Sequence, residues 1–328
     1  MIRLFDLRDL ALVHRLSGES ISFHAESALT SDVHPVRSAL AGMLMGRPFS
    51  TYIWKADENG AAGFVQLQLR EEGAQAQLIR VGLELAEPAM TGEQQGNGDA
   101  LDIWLPLMDQ LAVEAGQQGV QHLIAEVSEL GDELPLLRRA GFAVYTRKDV
   151  WMLRTYEAAA GPQILTPRKS VDDWDIHLLY ANIVPRLIQL VEPSPPLQDG
   201  AVWVLHEDGE MTALVQRRDG PGASWLSLFI HPGAHMPAET IIAAALQLKP
   251  PEADRPLYCC VPRYQGWLQN ILPRLGFRLS GSYAVMVRHI VKRAPALQPE
   301  RAAVIASKQV AGSTPFISHP PARPKQRS

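Results

Sequence analysis

Apolar positions along this chain follow two periods that alternate in a repeating order. In Ala62–Leu69 (AGFVQLQL) and Gln77–Leu85 (QLIRVGLEL) they recur in the short, β-branched-rich manner of strands. Over Ala100–Gly116, residues Leu101, Trp104, Leu105, Met108, Leu111, Ala112 and Ala115 recur at i, i+3 and i+4, which predicts a helix with one apolar stripe. Gly116 and Gly119 end it. Leu123–Val127 reads as a buried strand. Leu134–Leu153 (LPLLRRAGFAVYTRKDVWML) reads as a short helix, a Gly-Phe pair and a hairpin-like run ending in alternating apolar residues.

The same order returns downstream. Thr212–Gln216 and Ser224–Ile230 read as strands, Glu239–Leu248 as a helix and Leu257–Val261 as a buried strand. Ile271–Val287 (ILPRLGFRLSGSYAVMV) then repeats the short helix, Gly-Phe and hairpin-like run. Gly141-Phe142 thus corresponds to Gly276-Phe277. Glycine suits the residue just past a helix end, where a left-handed backbone is needed, and the Phe opens the next strand by packing on the core. The stretch Glu157–Pro167, with its alanines, Gly-Pro pair and second proline, reads as a linker. The expected organisation is two tandem mixed α/β domains, 1–156 and 163–294, followed by a flexible basic, Pro-rich tail over 295–328.

Composition narrows the function classes. The 328 residues are 46% hydrophobic and 20% charged, enough for two packed cores. A net charge of −4 argues against nucleic acid as the partner. The tail carries Arg301, Lys308, Arg323, Lys325 and Arg327 against Glu300, so the body is more acidic than the whole, a weak lean towards a cationic partner. No apolar run is long enough to span a membrane. Asp6 and Asp9 interrupt the N-terminus where a secretion signal needs unbroken apolar residues, so the expected location is the cytoplasm. The only cysteines, Cys259 and Cys260, are neighbours on a strand and point to opposite faces. They read as small buried hydrophobes, with neither a disulfide nor a metal site expected.

Candidate chemistry lies in the loop before the first-half helix. Gln95-Gly96-Asn97-Gly98-Asp99-Ala100 has the form Gln/Arg-x-x-Gly-x-Gly/Ala and opens directly onto the helix. Backbone N–H groups at such a terminus can hold a phosphate, and glycines let it approach. Asp99 can equally be a plain N-cap. Arg217-Arg218-Asp219-Gly220-Pro221-Gly222 also fits the pattern but sits between two strands, where a hairpin turn is the better reading. The second half's own loop, His231–Ala238, has one glycine and two prolines and offers few donors; His231 and His235 read there as solvated side chains.

Strand, this loop, helix, strand, helix, Gly-Phe, strand resembles the GCN5-related N-acetyltransferases over nearly all of 1–155 and more faintly over 163–290. The start IRLFDLRDLALV looks like that family's first strand and helix. The resemblance implies two tandem acyl-CoA N-acyltransferase-like domains, the second degenerate. It implies that Gln95, Gly96, Asn97, Gly98, Asp99 and Ala100 hold the pyrophosphate of acetyl-CoA as co-substrate. It further implies direct transfer of the acetyl group to a small-molecule or peptide amine in a ternary complex. A carboxylate to free the amine of its proton would come from Glu84, Glu87 or Glu126, with Glu84 and Glu126 the leading candidates. The family often has a Tyr acid four residues before the Gly; here those positions are Leu137 and Leu272, which donate no proton, leaving water or another side chain such as Tyr145. The alternative is a catalytically silent binding or regulatory module on the same fold.

Overall fold

The computed structural model describes residues 1–31, 35–45, 49–56, 61–70, 73–84, 98–156, 161–192, 194, 197, 200–252 and 254–290. Part of the expected linker (157–160) and the whole expected tail (295–328) lie outside these residues. In the first half β1 (Ile2–Leu4) leads through a 3₁₀ turn (Leu7–Asp9) to α1 (Leu10–Leu16), β2 (Ile21–Ser22), α2 (Ala25–Thr30) and α3 (Pro35–Met45). Strands β3 (Phe49–Lys55), β4 (Ala62–Arg70) and β5 (Gln75–Glu84) follow, then α4 (Gly98–Gln117), β6 (His122–Ser128), α5 (Glu133–Arg139) and β7 (Ala143–Leu153).

The second half runs β8 (Thr166–Pro167), a 3₁₀ turn (Ser170–Asp172), α6 (Asp173–Ile183), α7 (Arg186–Gln189), β9 (Ala201–Glu207), β10 (Glu210–Asp219) and β11 (Ser224–Ile230). It continues with α8 (Ala238–Leu248), β12 (Leu257–Pro262), two 3₁₀ stretches (Arg263–Asn270 and Leu272–Leu275) and β13 (Arg278–His289). The repeat is closer than the sequence pattern indicated. Asp9 and Asp172 close the equivalent 3₁₀ turns by accepting the N–H of Asp6 at 2.9 Å and of Lys169 at 2.7 Å.

The glycine expectation holds. Gly141 and Gly276 have φ of +82° and +86°. Just past them the Phe142 and Phe277 N–H groups reach back to the Leu137 and Leu272 carbonyls at 3.0 and 3.1 Å, satisfying carbonyls that a helix end leaves free. Both phenylalanines and both leucines are buried. The hairpin turn expected in Arg217–Gly222 also forms, the Gly220 N–H donating to the Ala223 carbonyl at 2.9 Å. A Cβ at Gly220 would lie 2.2 Å from the Thr30 carbonyl, so glycine is what lets this turn pack on α2.

The structure corrects the expectation that each half ends in two strands. Each ends in one long strand, and the two pair with each other. The 13-stranded sheet runs β1-β3-β4-β5-β6-β13-β7-β12-β11-β10-β9-β8, with β2 added on β5. β13 inserts between β6 and β7, and β7 lies between β13 and β12, so each half borrows a strand from the other. The polar middles, Arg147-Lys148-Asp149 and Ser280-Gly281-Ser282, look like turns in sequence. They stay extended because they face one another, with Asp149 opposite Ser282 and Lys148 opposite Tyr283. Asp149 Oδ1 accepts from Ser282 Oγ, and Oδ2 from Gln269 Nε2, each at 2.5 Å.

Alternation distributes the cores over both faces of the sheet. Tyr52 and Trp54 pack with Trp104, Met108 and Leu111 of α4, whereas Ile53 packs with Val13 and Leu16 of α1. In the second half Trp203, Leu205, Ala213 and Val215 pack against α8, while Val202, Val204 and Leu214 pack against Ile176 and Leu179 of α6. The predicted stripe of α4 is therefore core. Among the described residues no helix is long and apolar enough to cross a membrane. Because neither half completes its sheet alone, scanning calorimetry is expected to show one endotherm for Met1–Val291, with van't Hoff and calorimetric enthalpies equal. Two separable transitions would contradict the exchange.

Candidate functional site

Two kinds of site arise from this sheet: an opening in each half where parallel strands part, and a cavity between the halves. β5 and β6 pair in parallel only from Gln75/His122 to Gln77/Ile124. Beyond that they splay, and the unpaired edges would be open to a ligand. The chain fills the gap itself. Phe23 donates its N–H to the Ile79 carbonyl and accepts from the Glu126 N–H, both at 2.9 Å. Gln77 Nε2 also donates to the Phe23 carbonyl at 3.0 Å. The Phe23 ring, buried, meets Trp104 of α4 edge-on with centroids 5.8 Å apart. In the second half β11 and β12 pair from Ser224/Leu257 to Ser227/Cys260. There the buried Gln265 amide closes the gap, donating to the Leu228 carbonyl at 3.2 Å and accepting from the Ile230 N–H at 3.4 Å.

The cavity, about 560 Å³, lies on the face opposite α4 and α8 and draws its walls from both halves. Gln66, Arg70 and Arg80 come from β4 and β5, and His24 and Glu26 from the edge of α2. Glu126, Lys148, Arg218 and Cys260 come from β6, β7, β10 and β12, and Glu192 from the turn after α7. Trp225, Phe229 and Tyr264 supply apolar surface. Two ion pairs neutralise part of the wall: Glu126 with Lys148 and Glu26 with Arg218, each at 2.5 Å.

Burial pushes the Glu126 carboxyl up, but Lys148 and the Ala25 N–H, which reaches Oε2 at 2.8 Å, together outweigh it and hold the group ionised. Burial holds His24 neutral, with a pKa lowered from 6.5 to about 3, although Glu126 pulls the other way; Arg70, Lys148 and Arg218 add to the lowering. Arg70 can only donate, so its 3.2 Å contact makes His24 Nε2 an acceptor, while Nδ1 lies 2.6 Å from Ser27 Oγ and 3.4 Å from the Ser27 N–H at the start of α2. Burial likewise raises the Cys260 thiol to about 12, which removes it as a nucleophile at neutral pH.

The residues singled out in sequence are not brought together. Glu84 ends β5, ion-paired with Arg15 beside Arg8 and Lys55, and does not line the cavity. Glu126 does line it, with both oxygens engaged. Gly98, Asp99 and Ala100 form the first turn of α4, while Gln95, Gly96, Asn97 and Glu87 lie outside the described residues. Tyr145 bonds His289, away from the cavity. His235 is exposed, as expected of a loop histidine, and Leu137 and Leu272 are fully buried. Sequence reasoning missed Phe23, Arg70, Glu192 and Gln265. Only the charges of Arg70 and Glu192 near strand and helix ends were visible signals.

The sequence matches no protein-family model and no curated protein. Among solved structures the chain is similar to a GCN5-related N-acetyltransferase from Sphaerobacter thermophilus, with TM-score 0.50 at 12% identity over 89% of this chain and 96% of that one. It is equally similar to a tandem GNAT protein from the clavulanic acid biosynthesis pathway, with TM-score 0.50 at 11% identity over 90% and 99%. The fold is thus the tandem acyl-CoA N-acetyltransferase fold.

Two outcomes test the electrostatics of the cavity. Glu126→Gln leaves Lys148 buried and unpaired and is expected to cost about 3–5 kcal/mol by urea unfolding, most of it recovered in Glu126→Gln/Lys148→Met. His24 stays unprotonated in the fold below its unfolded pKa, so its contribution to stability is lost as pH falls from 6.5 towards 3. Glu26 and Glu192, whose carboxyls burial raises, act in the opposite sense. The melting temperature of His24→Gln is therefore expected to fall less than that of the wild type between pH 7 and 5; parallel curves would refute the assignment.

Proposed function

We propose that this chain, built on the tandem acetyltransferase fold, is a small-molecule-binding module whose ligand occupies the cavity between its halves. The observation that carries this reading is the filled gap of the first half. With Phe23 bonded to Ile79 and Glu126 across the splayed strands, an acyl-bearing arm has no strand edge to lie along. Gln265 does the same in the second half. These bonds argue against acetyl-CoA entering either opening in this arrangement. Leu137 and Leu272 add to this, since neither donates a proton to a departing thiolate.

A second reading keeps one observation in its favour: α4 begins at Gly98, so the Gln95–Ala100 motif runs into its first turn. On it the protein is an N-acetyltransferase that holds acetyl-CoA by that loop, uses Glu84 or Glu126 as base and acylates a small-molecule or peptide amine. That reading requires residues 21–25 to leave the gap. Calorimetric titration of acetyl-CoA into the wild type and Gly98→Glu, with thiol release measured over an amine panel, separates the two. The module predicts no binding heat and no thiol. Wild-type binding that Gly98→Glu abolishes, with turnover, would overturn it.

A further inference from the structure

The cavity wall leaves some charges uncompensated, and these define what it can hold. Lys148 and Arg218 are matched by Glu126 and Glu26. Arg70 is not. Among the described residues it makes no ion pair, and its contact is with the neutral ring of His24, which takes one hydrogen bond and none of the charge. Arg80, on the same wall, donates to the Ser20 hydroxyl at 3.3 Å and makes no ion pair among the described residues. Glu192 also makes no ion pair among the described residues; burial raises its carboxyl, with Lys148 and Arg70 opposing and Glu126 adding to the rise. Arg70, Arg80 and Glu192 are each half-buried, and Trp225, Phe229 and Tyr264 supply apolar surface to the same cavity.

A cation and a carboxylate that face one cavity without touching are complementary to a molecule with the opposite charges at its two ends. We propose that the cavity binds a free amino acid, its carboxylate on the Arg70 guanidinium and its ammonium on Glu192. The guanidinium offers a carboxylate two parallel N–H donors, and Glu192 offers an ammonium a single charged acceptor. A simple carboxylic acid would satisfy Arg70 and leave Glu192 beside a second carboxylate. A simple amine would satisfy Glu192 and add a cation next to Arg70. Each half-ligand therefore carries an electrostatic cost that the zwitterion avoids. A volume of about 560 Å³ accommodates the largest amino acids, and the aromatic wall takes an apolar side chain. Arg80 gives room for a second anionic group, which favours acidic members of the class.

This inference rests on the binding-module reading and extends it to a ligand class. The test is calorimetric titration of the full chain with each proteinogenic amino acid in turn, with butyrate and glutarate as ligands lacking the ammonium, and butylamine and putrescine as ligands lacking the carboxylate. At least one amino acid is expected to bind and to raise the melting temperature, while the four half-ligands bind about tenfold or more weakly. Arg70→Met and Glu192→Gln should each weaken the amino acid by about tenfold or more. Glu192→Gln should also bring glutarate closer to the amino acid in affinity. Glutarate binding the wild type as well as any amino acid would overturn the role of Glu192, and putrescine doing so would overturn that of Arg70. No amino acid binding at all would overturn the proposal. Acetyl-CoA titrated in the same buffer distinguishes the two failures: if it too is silent, only the ligand class fails, and if it binds and turns over, the module reading itself falls.

Discussion

The antiparallel pairing of β7 with β13 is the constraint on which the rest of this molecule depends. Hydrogen-bonding edges must be partnered, and each half lacks one strand to finish its own sheet. By exchanging their last strands the halves satisfy both edges at once and fuse into a single sheet. The exchange also brings the faces of β4–β6 and β10–β12 side by side, and the cavity is the space left between them. A polar segment such as Arg147-Lys148-Asp149 becomes tolerable at the centre of a sheet because Glu129 and Glu126 of its own half pair with Arg147 and Lys148, while Arg263, Gln269 and Ser282 of the partner half hold Asp149.

Polar chemistry in the interior follows from this arrangement. Glu126 sits on a strand whose neighbours Ala125 and Val127 face the α4 core, so its side chain faces the cavity. Without Lys148 from the exchanged strand its charge would be unaffordable there. With Lys148 in place, Glu126 is free to hold the first turn of α2 through the Ala25 N–H. That in turn fixes Phe23, two residues earlier, in the gap between β5 and β6. One ion pair thereby connects the exchanged strand to the closed opening.

How much was legible in sequence depends on how local the physics is. The Gly-Phe pairs were legible because a left-handed residue after a helix end is a local demand that only glycine meets well. The α4 stripe and the order of strands were legible through periodicity. The strand exchange was not, because alternation in Ala143–Leu153 and Arg278–His289 is the same whether the partner strand is the next one or lies in the other half. Phe23 in the gap was equally hidden: it is an apolar residue of no distinctive pattern, and its partners Ile79 and Glu126 lie far along the chain. The loop at Gln95–Ala100 was legible as a pattern, yet the pattern alone does not say whether the opening beside it is vacant. Arg70 and Glu192 acquire meaning only once the fold shows which charges around them are already matched.

The exchanged strands have a consequence for how the chain reaches this state. As the polypeptide leaves the ribosome, β6 and β7 emerge complete while the strand that separates them, β13, is still unmade. Val127 must wait for Ala284 before its ladder closes. The first half therefore spends most of synthesis with two hydrogen-bonding edges bare, a state prone to false pairing with other nascent strands. Contacts this distant in sequence also slow the final step, because the loop entropy is lost before the pairing rewards it. The arrangement that makes the finished molecule one cooperative unit thus makes its birth dependent on the last strand to appear.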